Sequence, residues 1–183
     1  MGIQNEPIAT QKYMYIEMQR ASGHNGLTVF PSGFIISESY PFLGATPDGS
    51  VYDPTCHEQP YGFLEVKGPY SKRNVTPEDA CTSQDFCCAV NTGSAGERKV
   101  YLKKSHIYYA QVQGQMGIGE HSWCDFVIYT CKGITIERIN FDPHFWNNQL
   151  LPKLISFYNN CVAPEIVSPV HVLGLPARDL RKL

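Results

Sequence analysis

Long apolar runs are missing from this chain. Nowhere do about 18 apolar residues follow one another, so an ordinary membrane-spanning helix is excluded. Nor does the sequence open on a charged stretch followed by an apolar one, the pattern of a secretory signal. CxxC pairs are absent as well, and the seven cysteines are odd in number. We therefore expect free thiols in a reducing, intracellular setting, nucleus or cytoplasm. Buried structural cysteine is preferred over a zinc site made from Cys81, Cys87, Cys88 and a histidine. A surplus of positive charge is lacking too: 15 Lys and Arg face 17 Asp and Glu, a net charge of −2. The chain as a whole exerts no pull on a polyanion, so contact with nucleic acid requires a local basic face. Lys72-Arg73 and Arg98-Lys99 with Lys103-Lys104 are the candidates, and each also reads as a solvated surface cluster.

What is present suits a soluble domain. Its 183 residues, 43% hydrophobic and 17% charged, are enough for one sizeable core and leave little room for a second. The expected domain is 1–164, with 165–183 as an extended tail. Residues 5–20 space their apolar side chains as a helix does, with Pro7 in the first turn, where its missing N–H costs nothing. Short strands are expected within 27–39, at 42–46, at 51–52 and at 62–67, separated by Pro31-Ser32-Gly33 and Pro47-Asp48-Gly49 turns. Thr76-Pro77-Glu78-Asp79 reads as a helix start and 91–96 as a loop. A helix over 105–118 with Ile107, Tyr108, Val112 and Met116 largely on one side, a hairpin of 122–130 and 133–140, and a helix from Pro143 to Cys161 ending before Pro164 complete the chain. This order implies an α/β (α+β) arrangement of helices around one central sheet.

The chemistry concentrates at Glu65 and Lys67. Two residues apart on a strand, they project from one face, while Leu64 and Val66 point to the other. Gly-Phe-Leu-Glu-Val-Lys is apolar enough for an interior strand, where a charge pair is costly unless it has a use. Asp48 sits 17 residues earlier at a turn, from which a hairpin can carry it beside Glu65. Two carboxylates, the carbonyl of Val66 between Glu65 and Lys67, and the lysine make an oxygen-rich site suited to Mg²⁺, with two ions and Mn²⁺ as a substitute. Beside bound cations a lysine has its charged form disfavoured, which suits it to take or orient a water proton. Alone, Glu-x-Lys is more often an exposed charge pair, and Pro-Asp-Gly is only a turn.

Three longer stretches turn this pattern into a resemblance. They are Leu43-Gly44-Ala45-Thr46-Pro47-Asp48-Gly49, Phe63-Leu64-Glu65-Val66-Lys67-Gly68-Pro69-Tyr70-Ser71, and Tyr108-Tyr109-Ala110-Gln111-Val112-Gln113-Gly114-Gln115-Met116. In this order and spacing they resemble the lambda-exonuclease or YqaJ-type viral recombinase family, over roughly residues 2–160. The resemblance implies a restriction-endonuclease-like PD-(D/E)xK core, a mixed sheet flanked by helices. It also implies Mg²⁺-dependent hydrolysis of DNA phosphodiester bonds, as an exonuclease on duplex ends in recombination or repair. Asp48 and Glu65 would bind metal, joined by the Val66 carbonyl and by Glu6 of Glu6-x-x-Ala9-x-x-x-Tyr13, and Lys67 would activate the attacking water. Glu38, ten residues before Asp48, matches an acid of some relatives. Gln111 and Gln113 stand about 200° apart on a helix; Gln113, on the face of Tyr109, is the one expected to orient a ligand or the scissile phosphate. Ser71, Lys72, Arg73 and Tyr109 would meet the nucleic acid. A homo-oligomer and a single-strand annealing partner protein accord with the resemblance. Thr46 and Gly68 depart from it, standing where many members have serine and cysteine. Three rival readings are a structure-specific endonuclease, a non-catalytic nucleic-acid-binding module and a zinc-stapled interaction domain.

Overall fold

In the computed structural model, which describes residues 2–19, 26–92, 96, 98–169 and 174, the alternating stretches build a five-stranded mixed sheet. Its order is β1 (Thr28–Phe30), β4 (Gly49–Tyr52), β5 (Tyr61–Lys67), β8 (Trp123–Thr130) and β9 (Gly133–Asn140). Every neighbouring pair is antiparallel except β5 and β8, which run parallel in the centre. A strand covered on both faces reads as a continuous apolar run, and Gly62, Phe63, Leu64 and Glu65 of β5 and all of β8 are buried. Helix α1 (Gly2–Gln19) covers one face, where Tyr13 packs with Leu27, Val51, Leu64, Trp123 and Val127. Helix α3 (Ile107–Gly119) covers the other, where Val112 and Met116 meet Phe63, Cys124, Phe126 and Ile128. Burial of each such apolar side chain stabilises the fold by roughly 1.5–3 kcal/mol. That surplus allows the same strand to hold Glu65, at 1% exposure, inside.

A polar network fastens α1 to the sheet. Arg138 on β9 donates two hydrogen bonds of 2.8 Å to the Asp125 carboxylate and a third of 2.8 Å to Asp53. Tyr13 of α1 donates its hydroxyl to Asp125 at 2.5 Å, and burial and that neighbouring charge push the phenol well above its usual pKa. The Arg138 guanidinium also lies 3.8 Å from the Trp123 ring centroid.

Two antiparallel hairpins stand outside the sheet: β2 (Ile35–Ile36) with β3 (Gly44–Ala45), and β6 (Cys88–Thr92) with β7 (Arg98–Leu102). Between them lie a 3-10 turn at Tyr70–Lys72 and the short α2 (Pro77–Ala80), capped by the Thr76 side chain accepting from the Asp79 amide at 3.1 Å. The last helix comprises α4 (Pro143–Phe145), α5 (Leu151–Phe157) and α6 (Ala163–Val167), joined by π-helical turns at Trp146–Leu150 and Tyr158–Val162. Pro152 and Pro164 explain both turns. Neither proline has an N–H to offer, and in each case the residue before it bonds five residues back, Leu151 to Trp146 and Ala163 to Tyr158. Against α3 this helix packs Trp146 and Leu151 on Ile118. Gly117 permits the approach, since a β-carbon there would stand 2.5 Å from the Trp146 ring.

The mixed sheet flanked by helices and the 123–140 hairpin agree with the sequence reading. Four local expectations fail. Pro7 lies inside α1 rather than in its first turn. The β6–β7 hairpin takes Asn91 and Thr92 of the stretch read as a loop into a strand. Ile107, grouped with the apolar face of α3, is 74% exposed. The final helix continues past Pro164 to Val167, and most of the expected tail beyond it lies outside the described residues. All seven cysteines are free thiols, with Cys87, Cys88, Cys124 and Cys161 buried. No described helix is long and apolar enough to cross a membrane.

Candidate active site

The antiparallel register of β4 and β5 pairs Gly49 with Leu64, so the next step along the ladder sets Asp48 opposite Glu65. The ladder stops there, and the Asp48 carboxylate takes its place, accepting from the Val66 amide at 2.7 Å. Both acids thus stand at the carboxyl end of β5, where its parallel neighbour β8 also ends; ligand sites of open α/β sheets favour such ends. A cavity of about 330 Å³ opens at this point. Glu6 from α1, Asp48, Val66 and Lys67 line it, with Gly68 and Pro69 after the strand, Ile128 and Tyr129 from β8, Cys87, and Tyr108 from α3.

Glu65 lies at the inner end of this arrangement. Its carboxylate accepts from Lys67 Nζ and from Gln111 Nε2 on one oxygen, and from Gln115 Nε2 on the other, both amide bonds being 2.7 Å. Charge-assisted donors of this kind are what a buried carboxylate requires. Burial first, then the charge of Asp48, raises the pKa of Glu65, with Lys67 and Gln115 opposing. Glu6 is raised for the same two reasons, and Lys67 again opposes. Two glutamates and an aspartate therefore share one ammonium. Lys67 extends from Glu65 toward the cavity, its Nζ 4.6 Å from the Tyr108 ring centroid.

Several predicted residues come together: Glu6, Asp48, Val66 and Lys67 on the cavity, and Glu65 behind them, bonded to Lys67. Others do not. Gln113, at 0% exposure, donates to the Asn140 carbonyl at 3.0 Å and accepts from the Asp142 amide at 2.8 Å, joining α3 to the end of β9. The glutamines that face Glu65 are 111 and 115, four apart and hence on one face of the helix. Gln111 and Gln113 do point to different sides of α3, but Gln113 shares its side with Tyr109, and Tyr109 is itself turned away. That ring is buried edge-on against Phe145, 5.2 Å between centroids, and its hydroxyl reaches Asp142 at 3.3 Å. Of the two neighbouring tyrosines it is Tyr108 that lines the cavity, together with Tyr129 of β8, and Cys87 lies there without the zinc partners weighed for it. Glu38 is exposed in the turn after β2, away from the cavity.

Ser71, Lys72 and Arg73 follow Pro69 at the rim, with Ser71 exposed. Both cations there have internal partners: Lys72 Nζ donates to Ser83 Oγ at 2.7 Å, and the Arg73 guanidinium stacks 4.0 Å from the Tyr70 ring centroid while donating to the Tyr70 carbonyl. Arg98 and Lys99 lie on the β6–β7 hairpin, Lys103 donates to the Gln84 carbonyl, and Lys104 sits 3.6 Å from Asp142.

Among the described residues, no three His, Cys, Asp or Glu side chains close into a metal cage. Glu6 and Asp48 line the cavity instead with Glu65 behind them, Asp48 tied to Val66 and Glu65 to its three donors. The donor set still fits a hard divalent cation: it is all oxygen, and Asp48 raises the pKa of both glutamates as crowded negative charge does. A second cation at this point would relieve that crowding.

Comparison with known proteins speaks to family and fold. The model of the YqaJ-like viral recombinase domain matches residues 1–122. Among solved structures, the chain resembles the alkaline exonuclease LHK-Exo of Laribacter hongkongensis, at 23% identity and a TM-score of 0.57 over 86% of this chain and 65% of that one. It also resembles LHK-Exo in complex with dAMP, at 24% identity and a TM-score of 0.53 over 85% of this chain and 61% of that one. The chain thus spans under two thirds of the length of each, and at such identity the likeness speaks for the fold. No protein of curated function matches.

Proposed function

This chain belongs to the YqaJ-like viral recombinase family, and from that premise we propose that it is a divalent-metal-dependent deoxyribonuclease acting as an exonuclease on duplex DNA ends. One observation carries the proposal: Asp48 across from Glu65, with Lys67 two residues on, at the open end of a buried strand. A charged trio in such a place is costly to fold and is retained for what it does.

Asp48, Glu65, the Val66 carbonyl and Glu6 would hold the metal, Mg²⁺ in the first instance with Mn²⁺ able to replace it. When bound, the cations acidify the attacking water and offset charge on the scissile phosphate. The protein's own groups do the remainder. Lys67, between Glu65 and the cavity, orients the attacking water. Gln111 and Gln115 fix the Glu65 carboxylate so that its lone pairs are presented in one direction. Tyr108 walls the cavity beside the lysine and keeps bulk water from it. The exposed Ser71 at the rim is suited to a backbone phosphate, whereas Lys72 and Arg73 must leave Ser83 and Tyr70 to reach one.

The test compares linear and closed circular duplex DNA with Mg²⁺, for the wild type and Lys67→Ala. Degradation of linear DNA alone, abolished in the variant, is expected. Nicking of circles would make the protein an endonuclease. No cleavage of either across a range of Mg²⁺ and Mn²⁺ would reduce it to a binding module.

A further inference from the structure

Helix α1 carries a line of exposed side chains away from the cavity. Glu6, near its start, lines the cavity. Farther along, Ile8, Lys12 and Tyr15 stand at i, i+4 and i+7 and so share one side of the helix. All three are exposed, Ile8 at 46% and Tyr15 at 67%. Of the exposed residues between Pro7 and Gln19 none is acidic, in a chain whose net charge is −2. Lys12 Nζ lies 5.1 Å from the ring centroid of Tyr129, and Tyr129 is itself a wall of the cavity. The ammonium therefore stands at the lip of the site. A ring holds it there without cancelling its charge and leaves N–H donors over for another partner. The cations that follow Pro69 are committed differently: Lys72 bonds Ser83, and Arg73 stacks on Tyr70.

We propose that Lys12 binds a backbone phosphate beside the scissile one, and that the DNA strand leaves the cavity across Tyr129 and along the Lys12–Tyr15 side of α1. The inference rests on the nuclease reading above and gives the substrate its path. Charge is the first reason. Glu6, Asp48 and Glu65 repel a polyanion, and a cation just outside them offsets that repulsion. Chemistry is the second. An ammonium is a compact point charge that takes a phosphate whatever the sequence, as an enzyme acting on any DNA end requires. Tyr15, one turn beyond, offers an apolar body with a polar tip, which suits the sugar between one phosphate and the next. The third reason is the lack of acids: a chain with one negative charge per nucleotide can lie along this side of the helix without meeting a carboxylate.

The test measures binding of a short, blunt, linear duplex over a series of salt concentrations, without divalent cations so that hydrolysis does not intervene. Each phosphate neutralised contributes about 0.9 to the slope of log affinity against log salt. The wild type is expected to bind, and Lys12→Gln to bind more weakly with a slope smaller by about 0.9. Lys12→Arg keeps the slope. Tyr15→Ser weakens binding at an unchanged slope, because it alters no charge. Lys153→Gln removes an exposed cation from the last helix and changes neither quantity. Each variant replaces an exposed side chain, so their thermal melts should coincide with that of the wild type. With Mg²⁺, Lys12→Gln raises KM more than it lowers kcat, since a flanking phosphate is held in ground and transition states alike. A wild type that does not bind, an unchanged slope in Lys12→Gln, an equal fall in Lys153→Gln, or undiminished affinity in Tyr15→Ser overturns the proposal. Cleavage by the wild type with an unchanged slope in Lys12→Gln removes the path and leaves the nuclease; a lowered slope without cleavage by the wild type does the reverse.

Discussion

Replacing Arg138 with methionine probes the link between the fold and the site. The guanidinium pairs with both Asp53 and Asp125, whose side chains are 0% and 2% exposed. The arginine makes three 2.8 Å hydrogen bonds to them, so its loss removes a full positive charge from beside two buried carboxylates. Breaking a buried ion pair from one side costs about 3–5 kcal/mol. In a domain of this size each kcal/mol lowers Tm by about 2–4 °C, so Arg138→Met should melt roughly 6–20 °C below the wild type. The change is read by circular dichroism on heating. The charge argument makes a second demand: adding Asp53→Asn and Asp125→Asn should restore several degrees, because neutral amides tolerate burial better than stranded charges. Activity should fall as well, since Tyr13 bonds Asp125 and belongs to the helix that carries Glu6. A drop of less than about 3 °C, or a triple variant no more stable than the single one, would refute the reasoning.

Gln115→Met and Gln111→Met, which release Glu65, should each lower kcat by roughly 10- to 100-fold with little change in Tm. Gln113→Met should do the opposite, losing about 1–3 kcal/mol with kcat retained, because its two hydrogen bonds join α3 to β9; steady-state kinetics beside thermal melts separates the two patterns. Burial raises the pKa of Glu137, whose carboxylate accepts from the Leu102 amide at 2.6 Å. A folded-state pKa above the unfolded one means that ionisation weakens the native state as pH rises through this range. Glu137→Gln should therefore melt higher than the wild type near pH 7, with the gap closing as pH falls below the range of an ordinary glutamate; a constant gap from pH 4 to 8 would contradict this. Gly62→Ala would drive a methyl to 2.3 Å from the Trp123 ring and should cost about 1–3 kcal/mol, measured by urea unfolding.

Much of the site was legible because its signals are local. Glu65 and Lys67 share a strand face by the two-residue repeat, and the apolar residues around them mark that strand as interior. Pro47-Asp48-Gly49 announced the turn from which Asp48 is carried across. The β6–β7 hairpin was less visible: its strands are half exposed, Thr92, Arg98 and Lys99 are polar, and no two-residue turn marks the reversal. Pro164 suggested a helix end, yet a π-helical turn absorbs its missing hydrogen bond and the helix proceeds.

Strand order of chemistry, from Asp48 to Glu65 to Lys67, was set by the chain alone, because register and side-chain alternation follow from bonds between near neighbours. Which face of α3 meets Glu65 was decided only by packing. Gln113 and Gln115 are both buried, so polarity could not distinguish them. A helix's periodicity supplies the angles between its residues but not its rotation about its own axis. That rotation came from seating Val112 and Met116 on β5 and β8, with the last helix behind, and it turned Gln111 and Gln115 toward the carboxylate.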